Sequence, residues 1–245
     1  MAKNIVKPGS TNVPRKGASS STDISQFLKA AEGLRKSGAG HGGLVFALDA
    51  TMSRQATWDN AMNIQAQMFD AVGAAGGLDV QLVYFRGYNE CRASKWVGNP
   101  SALRDLMTGI DCRGGHTQIR KVLAHAKKEA AKKNPVNANR SRVDALVFVG
   151  DAMEEDVDTL CHTAGQLGVL GVPCFMFQEG RDAMAEAAFR EIARLSNGAF
   201  MRFDSGSAKH LAELLKAVAN FVSGGRRALE NSNSREARLL LEQMR

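Results

Sequence analysis

Short runs of apolar residues alternate along the chain with longer segments in which apolar residues recur every three or four positions. The runs at 44–48, 145–149 and 172–177 are almost uninterrupted, which is typical of strands that helices cover on both faces. The longer segments have the period of amphipathic helices. The alternation therefore predicts an α/β fold, with a doubly wound, mostly parallel central sheet flanked by helices.

The predicted elements follow one another in the order that such a sheet requires. Strands are predicted at 44–48, 80–85, 145–149, 172–177 and 200–203, with a short edge strand at 95–97 that can run antiparallel. Helices are predicted at 54–73, 103–110, 118–133, 154–168, 183–195 and 208–222. The pair Gly224-Gly225 is expected to end the last of these helices.

The chain outside this alternation divides into two ends. Residues 1–22 contain few large apolar side chains and are predicted to be a disordered basic tail. Residues 23–41 are predicted to form an amphipathic helix and a flexible, glycine-rich connector, and residues 42–223 a single α/β domain. Residues 224–245 are predicted to be a polar linker and an exposed C-terminal helix. Its apolar stripe, which can dock on the domain or on a partner, consists of Ala237, Leu240, Leu241 and Met244.

The net charge of +7 first suggests a nucleic acid or an anionic membrane as the partner. Its distribution changes that interpretation. Residues 1–41 hold seven basic and two acidic side chains, and residues 223–245 hold five and three. Residues 42–222 hold 20 of each. The domain is thus neutral, and the basic ends fit solubilising or tethering segments better than a nucleic-acid site.

Several classes of protein lack their sequence signals here. The sequence contains no run of 18 apolar residues, so no transmembrane helix is predicted. The first residues lack the apolar core of a secretory signal. The four cysteines form no C-x-x-C pair that would indicate a zinc knuckle or a thioredoxin-like site: Cys91, Cys112, Cys161 and Cys174. We therefore expect a cytoplasmic protein with no membrane partner.

Oxygen-bearing side chains stand at one predicted edge of the sheet. Ligands of doubly wound folds bind at the carboxyl ends of the strands, and Mg²⁺ takes about six oxygen ligands at roughly 2.1 Å. Two carboxylates and three neutral hydroxyls would leave such a cation open to an external carboxylate as a further ligand. The candidate ligands follow the first strand, open the helix at 118–133 and follow the 145–149 strand: Asp49, Thr51, Ser53, Thr117 and Asp151.

Local roles compete with metal binding for each of these residues. Asp49 and Asp151 can cap the helices that follow them, and the hydroxyls of Thr51 and Ser53 can bond within a turn. Thr117 can cap the helix that it precedes. The acidic residues 154–156 suit the first turn of their own helix, although they can also tune a nearby metal.

The spacing of these residues resembles the von Willebrand factor type A (VWA) domain and its metal-ion-dependent adhesion site (MIDAS). That family has a D-x-S-x-S motif, a later Thr in a Gly-Gly context, and an Asp after a hydrophobic strand. Thr51 departs from the usual Ser but keeps the hydroxyl, and His116 separates the glycines from Thr117. The resemblance covers about 43–222, and it is strongest to the compact stand-alone VWA proteins of bacterial cytoplasm.

The resemblance implies a Rossmann-like three-layer sandwich and a non-enzymatic protein-binding module. In the family, an Asp or Glu of a partner protein completes the coordination of the cation. We therefore expect Mg²⁺ or Mn²⁺ as the cofactor, an acidic residue on the partner protein, and a role such as that of an adaptor.

Enzymatic alternatives each lack a part of their motif. Neither a G-x-S-x-G elbow nor a P-loop occurs. A Mg²⁺-dependent phosphoryl-transfer enzyme of the haloacid dehalogenase type also places an Asp after its first strand. It needs a second Asp two positions later, where this chain has Thr51. This reaction is the first alternative, and nucleic-acid binding through the basic ends is the second.

The distribution of charge makes the nucleic-acid alternative testable. We expect deletion of residues 1–41 to leave the affinity for duplex DNA unchanged, because the basic tail is not a binding site on this interpretation. Titrations of both proteins with labelled DNA at 50 and 200 mM salt check this. An affinity that falls steeply with salt and disappears on deletion would establish the tail as a polyanion site.

Overall fold

The structure, a computed structural model, describes residues 42–55, 78–133, 141–204 and 208–244. Its strands are β1 (Gly42–Asp49), β2 (Leu78–Arg86), β3 (Glu90–Val97), β4 (Ala145–Gly150), β5 (Cys174–Glu179) and β6 (Ala199–Phe203). Its helices are α1 (Pro100–Thr108), α2 (Ile119–Ala130), α3 (Val157–Val169), α4 (Ala183–Leu195), α5 (Ala208–Glu230) and α6 (Arg235–Gln243). A short 3₁₀ turn, Met52–Arg54, follows β1.

The six strands form one sheet in the order β3-β2-β1-β4-β5-β6. Strand β3 runs antiparallel to β2, and every other neighbouring pair is parallel. The predicted fold class is therefore confirmed, including the antiparallel edge strand. The strand order reverses between β1 and β4, which is the switch point where ligands of doubly wound sheets bind.

Helices cover both faces of the sheet. One apolar core lies between the sheet and α1, α5 and α6, and the other lies between the sheet and α2, α3 and α4. Every residue of β1, β4 and β5 is buried. Burial on both faces explains why these strands appear in the sequence as unbroken apolar runs.

Strand β3 is longer than the sequence pattern predicted. It spans Glu90–Val97 rather than 95–97, and its residues are half-buried or exposed. Charged side chains such as Glu90 and Arg92 hid it from a search for apolar runs. An edge strand can carry such residues, and the charges also discourage pairing with another chain.

The C-terminal segment corrects two expectations. The predicted stop at Gly224-Gly225 is present, since Gly225 is non-helical with φ of 67° and ψ of −168°, but a second helical segment rather than a polar linker follows it to Glu230. Helix α6 is not exposed, since its Ala237 and Leu240 are fully buried in the core beside α5. The polar linker is thus reduced to a few residues between two packed helices.

Helix α6 also covers the open edge of the sheet. The side-chain amide of Gln243 accepts from the Phe200 N–H and donates to the Phe200 carbonyl, both at 2.9 Å. Among the described strands, β6 is the last in the sheet order, with β5 on its other side. The amide therefore satisfies backbone groups that would otherwise be open to another strand.

Three predicted segments lie outside the described residues: the tail at 1–22, the helix and connector at 23–41, and almost all of the helix at 54–73. Among the described helices, none is long and apolar enough to cross a membrane.

Docking of α6 can be tested by truncating its central apolar side chain. We expect Leu240→Ala to lower the free energy of unfolding by about 2–4 kcal/mol, because the side chain is fully buried. Urea denaturation measures this. The control is Leu106→Ala in α1, where the side chain is 40% exposed. Equal losses in the two variants would mean that α6 does not pack on the domain.

Candidate metal centre

The turn after β1 places one carboxylate beside two hydroxyls. Asp49, the last residue of β1, is fully buried, and its Oδ1 accepts a hydrogen bond from the Thr51 N–H at 2.8 Å. The hydroxyl oxygens of Thr51 and Ser53 lie 3.1 Å apart. Thr51 is buried and Ser53 is exposed, so the turn leads from the interior to the surface.

Asp151 supplies a second carboxylate on the neighbouring strand. Because β4 pairs in parallel with β1, with Val149 opposite Leu48, the residues that follow these strands emerge side by side. Asp49 Oδ2 and Asp151 Oδ1 are both buried, and neither has a hydrogen-bond partner among the described residues. Unpartnered buried carboxylate oxygens are costly, and a bound cation would satisfy both.

Thr117 reaches this region through the segment that follows Asp151. It is 6% exposed. Its hydroxyl accepts from the Glu154 N–H at 3.0 Å, and its own N–H donates to Glu154 Oε2 at 3.0 Å. The structure thus joins Asp49, Thr51 and Ser53 by hydrogen bonds and links Thr117 to the Asp151 segment.

The glycines before Thr117 allow its loop to pass against the β2–β3 turn. A Cβ on Gly115 would lie 2.0 Å from the Gly87 carbonyl oxygen, so no larger residue fits there. The His116 N–H donates to the same carbonyl at 3.3 Å. The His116 ring meets the exposed ring of Tyr88 edge-on, with centroids 5.3 Å apart.

Glu154 and Glu155 have a role that their spacing did not indicate. They do not lie in the first turn of α3, which begins at Val157 with Asp156 as its N-cap. Instead they cap α2: Glu154 binds the Thr117 N–H, and Glu155 accepts from the N–H groups of Ile119 and Arg120. Carboxylates at a helix N-terminus are stabilising, and these hold the Thr117 loop in place.

The competing cap assignments are also resolved. Asp156, rather than Asp151, caps α3 through the Thr159 N–H at 2.8 Å. Thr117 does not cap α2, whose N-cap is Gln118 and has no side-chain cap bond. Asp49 does bond within its own turn, but only through one oxygen.

Burial controls the electrostatics of Asp49. Desolvation raises its pKa to about 6, with a smaller contribution in the same direction from Asp151. The Thr51 hydrogen bonds and the positive charge of Arg54 act in the opposite direction. Asp49 therefore carries an unfavourably buried charge at neutral pH, which a cation would stabilise.

Arg54, absent from the predicted site, is 1% exposed. Its Nε donates to Glu179 Oε2 at 3.0 Å, and Nη1 donates to the carbonyl oxygens of Asp49 and Val149 at 3.1 and 3.4 Å. The sequence did not indicate that Arg54, a single basic residue after the Asp49–Ser53 motif, is buried, because arginine is mostly exposed in proteins.

The donor set fits a hard divalent cation. In the part of the chain that the structure describes, no group of three or more His, Cys, Asp or Glu side chains could hold a metal. The candidate site therefore depends on hydroxyls as well as carboxylates, and such oxygen sets suit Mg²⁺ and Mn²⁺ rather than metals that prefer thiolates.

Comparisons with known proteins identify the architecture. No protein-family model and no curated protein matches the sequence. Three similar solved structures are a von Willebrand factor type A protein from Catenulispora acidiphila, the SpRpn10 VWA domain, and proximal thread matrix protein 1 from the mussel byssus with a zinc-occupied MIDAS motif. Their TM-scores are 0.58, 0.55 and 0.58, at 15%, 10% and 15% identity.

The matches cover 74%, 69% and 74% of this chain, and 43%, 94% and 46% of the other chains. This chain thus spans less than half of the first and third proteins and nearly all of the SpRpn10 domain. The class of the molecule follows from these matches: the chain has a VWA fold.

Because Asp49 is buried, the charge that would bind a cation should destabilise the fold when the metal is absent. We expect Asp49→Asn to raise the free energy of unfolding of the metal-free protein by roughly 1–3 kcal/mol at neutral pH, because it removes a buried charge but keeps the oxygen that accepts from Thr51. Urea denaturation in EDTA measures this. The control is Asp105→Asn on the exposed face of α1. A loss of stability in Asp49→Asn would contradict the electrostatic explanation.

Proposed function

We propose that the protein is a non-enzymatic binding module that recognises a partner protein through a divalent cation, Mg²⁺ or Mn²⁺. The observation that carries this proposal is the pair of buried, unpartnered carboxylate oxygens of Asp49 and Asp151 beside a hydroxyl-bearing turn. The proposed ligands, bound directly or through water, are Asp49, Thr51, Ser53, Thr117 and Asp151.

The charge of the donor set indicates what the cation would attract. Two carboxylates balance a divalent ion, while the three hydroxyls are neutral and weaker donors. A hard cation in such a set readily accepts a further oxygen ligand. An Asp or Glu side chain of a partner would supply it, as a short and directional contact.

The surroundings of the turn support a protein as that partner. Met52 is 54% exposed between the two hydroxyl residues, and Tyr88 is 78% exposed against His116. Exposed aromatic and methionine side chains are favoured at protein interfaces. Among the similar structures, SpaC from Lactobacillus rhamnosus GG is a pilus adhesin, and the mussel protein has a zinc ion in its MIDAS motif.

The phosphoryl-transfer alternative is less consistent with the geometry. An aspartate that attacks a phosphate ester has to reach it, whereas Asp49 is fully buried. The position of the second aspartate is held by Thr51, whose hydroxyl lies beside Ser53. We propose, accordingly, that the protein is not an enzyme and that it acts in the cytoplasm as an adaptor.

Metal dependence tests the function. We expect Mg²⁺ or Mn²⁺ at 100 times its dissociation constant to stabilise the folded protein by about 2.7 kcal/mol, and Asp49→Ala to abolish this effect. Differential scanning calorimetry with and without EDTA measures it. Capture of a protein partner should need the cation and disappear in Asp49→Ala.

The matched control is Asp105→Ala, which removes an exposed carboxylate from α1 and should change neither result. Partner capture that is undiminished in EDTA would overturn the metal-bridge function. Turnover of a phosphate ester that Asp49→Asn abolishes would establish the enzymatic alternative.

A further inference from the structure

A buried arginine lies directly behind the hydroxyl-bearing turn. Arg54 ends the 3₁₀ turn Met52–Arg54, and its N–H closes that turn by donating to the Thr51 carbonyl at 3.1 Å. The residue is 1% exposed. Whatever fixes the position of Arg54 therefore also fixes Thr51 and Ser53, because the turn is only three residues long.

The Arg54 guanidinium connects the ends of three parallel strands. Nη1 donates to the carbonyl oxygens of Asp49, at the end of β1, and Val149, near the end of β4. Nε donates to Oε2 of Glu179, the last residue of β5, and Nη2 lies 3.0 Å from the same oxygen. Strands β1, β4 and β5 are consecutive in the sheet, so one side chain joins its central edge.

This position is the switch point of the sheet. The crevice between β1 and β4 is where doubly wound proteins ordinarily bind a nucleotide or another ligand. Here the two carbonyl groups that border it are occupied by Arg54. The guanidinium therefore lies at the switch point itself, directly beside the turn that carries the proposed metal ligands Thr51 and Ser53.

The charges around Arg54 balance when one divalent cation is bound. The guanidinium and the Glu179 carboxylate neutralise each other as a buried pair. The remaining carboxylates, Asp49 and Asp151, then match the charge of one divalent cation. Removal of Arg54 alone would leave the Glu179 carboxylate without the positive charge of Arg54, so charge and geometry have to be tested separately.

We propose that Arg54 is the positioning residue of the metal site: through the carbonyls of β1 and β4 and through Glu179, it holds the Thr51–Ser53 turn in the arrangement that the cation requires. This inference rests on the proposed function. It adds that the contacts of Arg54, which does not itself bind the cation, set the affinity of the site for the metal. Lysine would keep the charge but lacks the planar fork that serves three acceptors at once.

Direct titration with Mn²⁺, followed by electron paramagnetic resonance on folded protein, tests this inference. We expect Arg54→Lys to weaken Mn²⁺ binding by about 10–100-fold, because the loss of residues that hold metal ligands in position has effects of this size. The double variant Arg54→Met with Glu179→Gln restores neutrality without the fork, and we expect it to be at least as weak. Circular dichroism confirms the fold, and Glu179→Gln, also expected to weaken binding, replaces Arg54→Lys if that variant does not fold.

The matched control is Arg190→Lys in α4, where arginine pairs with Glu186 at the surface, at 2.7 Å. Its Mn²⁺ affinity should equal that of the unaltered protein. Unchanged affinity in Arg54→Lys together with a lower melting temperature would overturn the inference, since Arg54 would then be structural only. Full affinity in the neutral double variant would overturn it as well, because charge rather than position would be the cause.

The two proposals fail in different ways. If the unaltered protein binds no Mn²⁺, or if Asp49→Ala binds it equally well, the proposed function is overturned and this inference with it. If binding depends on Asp49 but not on Arg54, only the inference about positioning is overturned.

Discussion

A carboxylate is buried at the end of the central strand, and the electrostatics of the candidate metal site follow from it. Asp49 is fully buried, and one of its oxygens has no hydrogen-bond partner among the described residues. Its pKa of about 6 shows that burial outweighs the hydrogen bonds from Thr51 and the nearby charge of Arg54. A cation would remove this imbalance, and the surrounding hydroxyls are suited to share it.

The α/β architecture was accessible from the sequence because burial on both faces leaves an unbroken apolar run. That is why β1, β4 and β5 were predicted close to their observed positions. Helix α4 was predicted at its observed bounds because its apolar residues recur with the period of a helix. Strand β3 was mostly missed because one face of an edge strand is in solvent. The sequence left open whether the C-terminal helix docks on the domain or on a partner, because an apolar stripe suits either; the structure buries its Leu240 in the core beside α5.

The candidate site likewise has a part that the sequence predicted and a part that it did not. Four of its five proposed ligands were named from the ends of strands, and Thr117 from the start of a helix, since topology alone brings such residues to one edge. The residues that hold them in place were not foreseen. Arg54 contacts the ends of β4 and β5, and Glu154 and Glu155 cap a helix more than 30 positions earlier in the chain. Such contacts between distant segments have no local spacing that a sequence pattern could show.

We propose that a divalent cation binds this VWA fold at the end of its first strand. Crystals grown with Mn²⁺ test it most directly, through an anomalous difference map collected above the manganese edge. The expected result is a single strong peak at roughly 2.1 Å from the Thr51 and Ser53 hydroxyl oxygens, with the Asp49 and Asp151 carboxylates bound to it directly or through water. A map with no peak there, at a Mn²⁺ concentration that saturates binding in solution, would show that the cation does not bind at this turn.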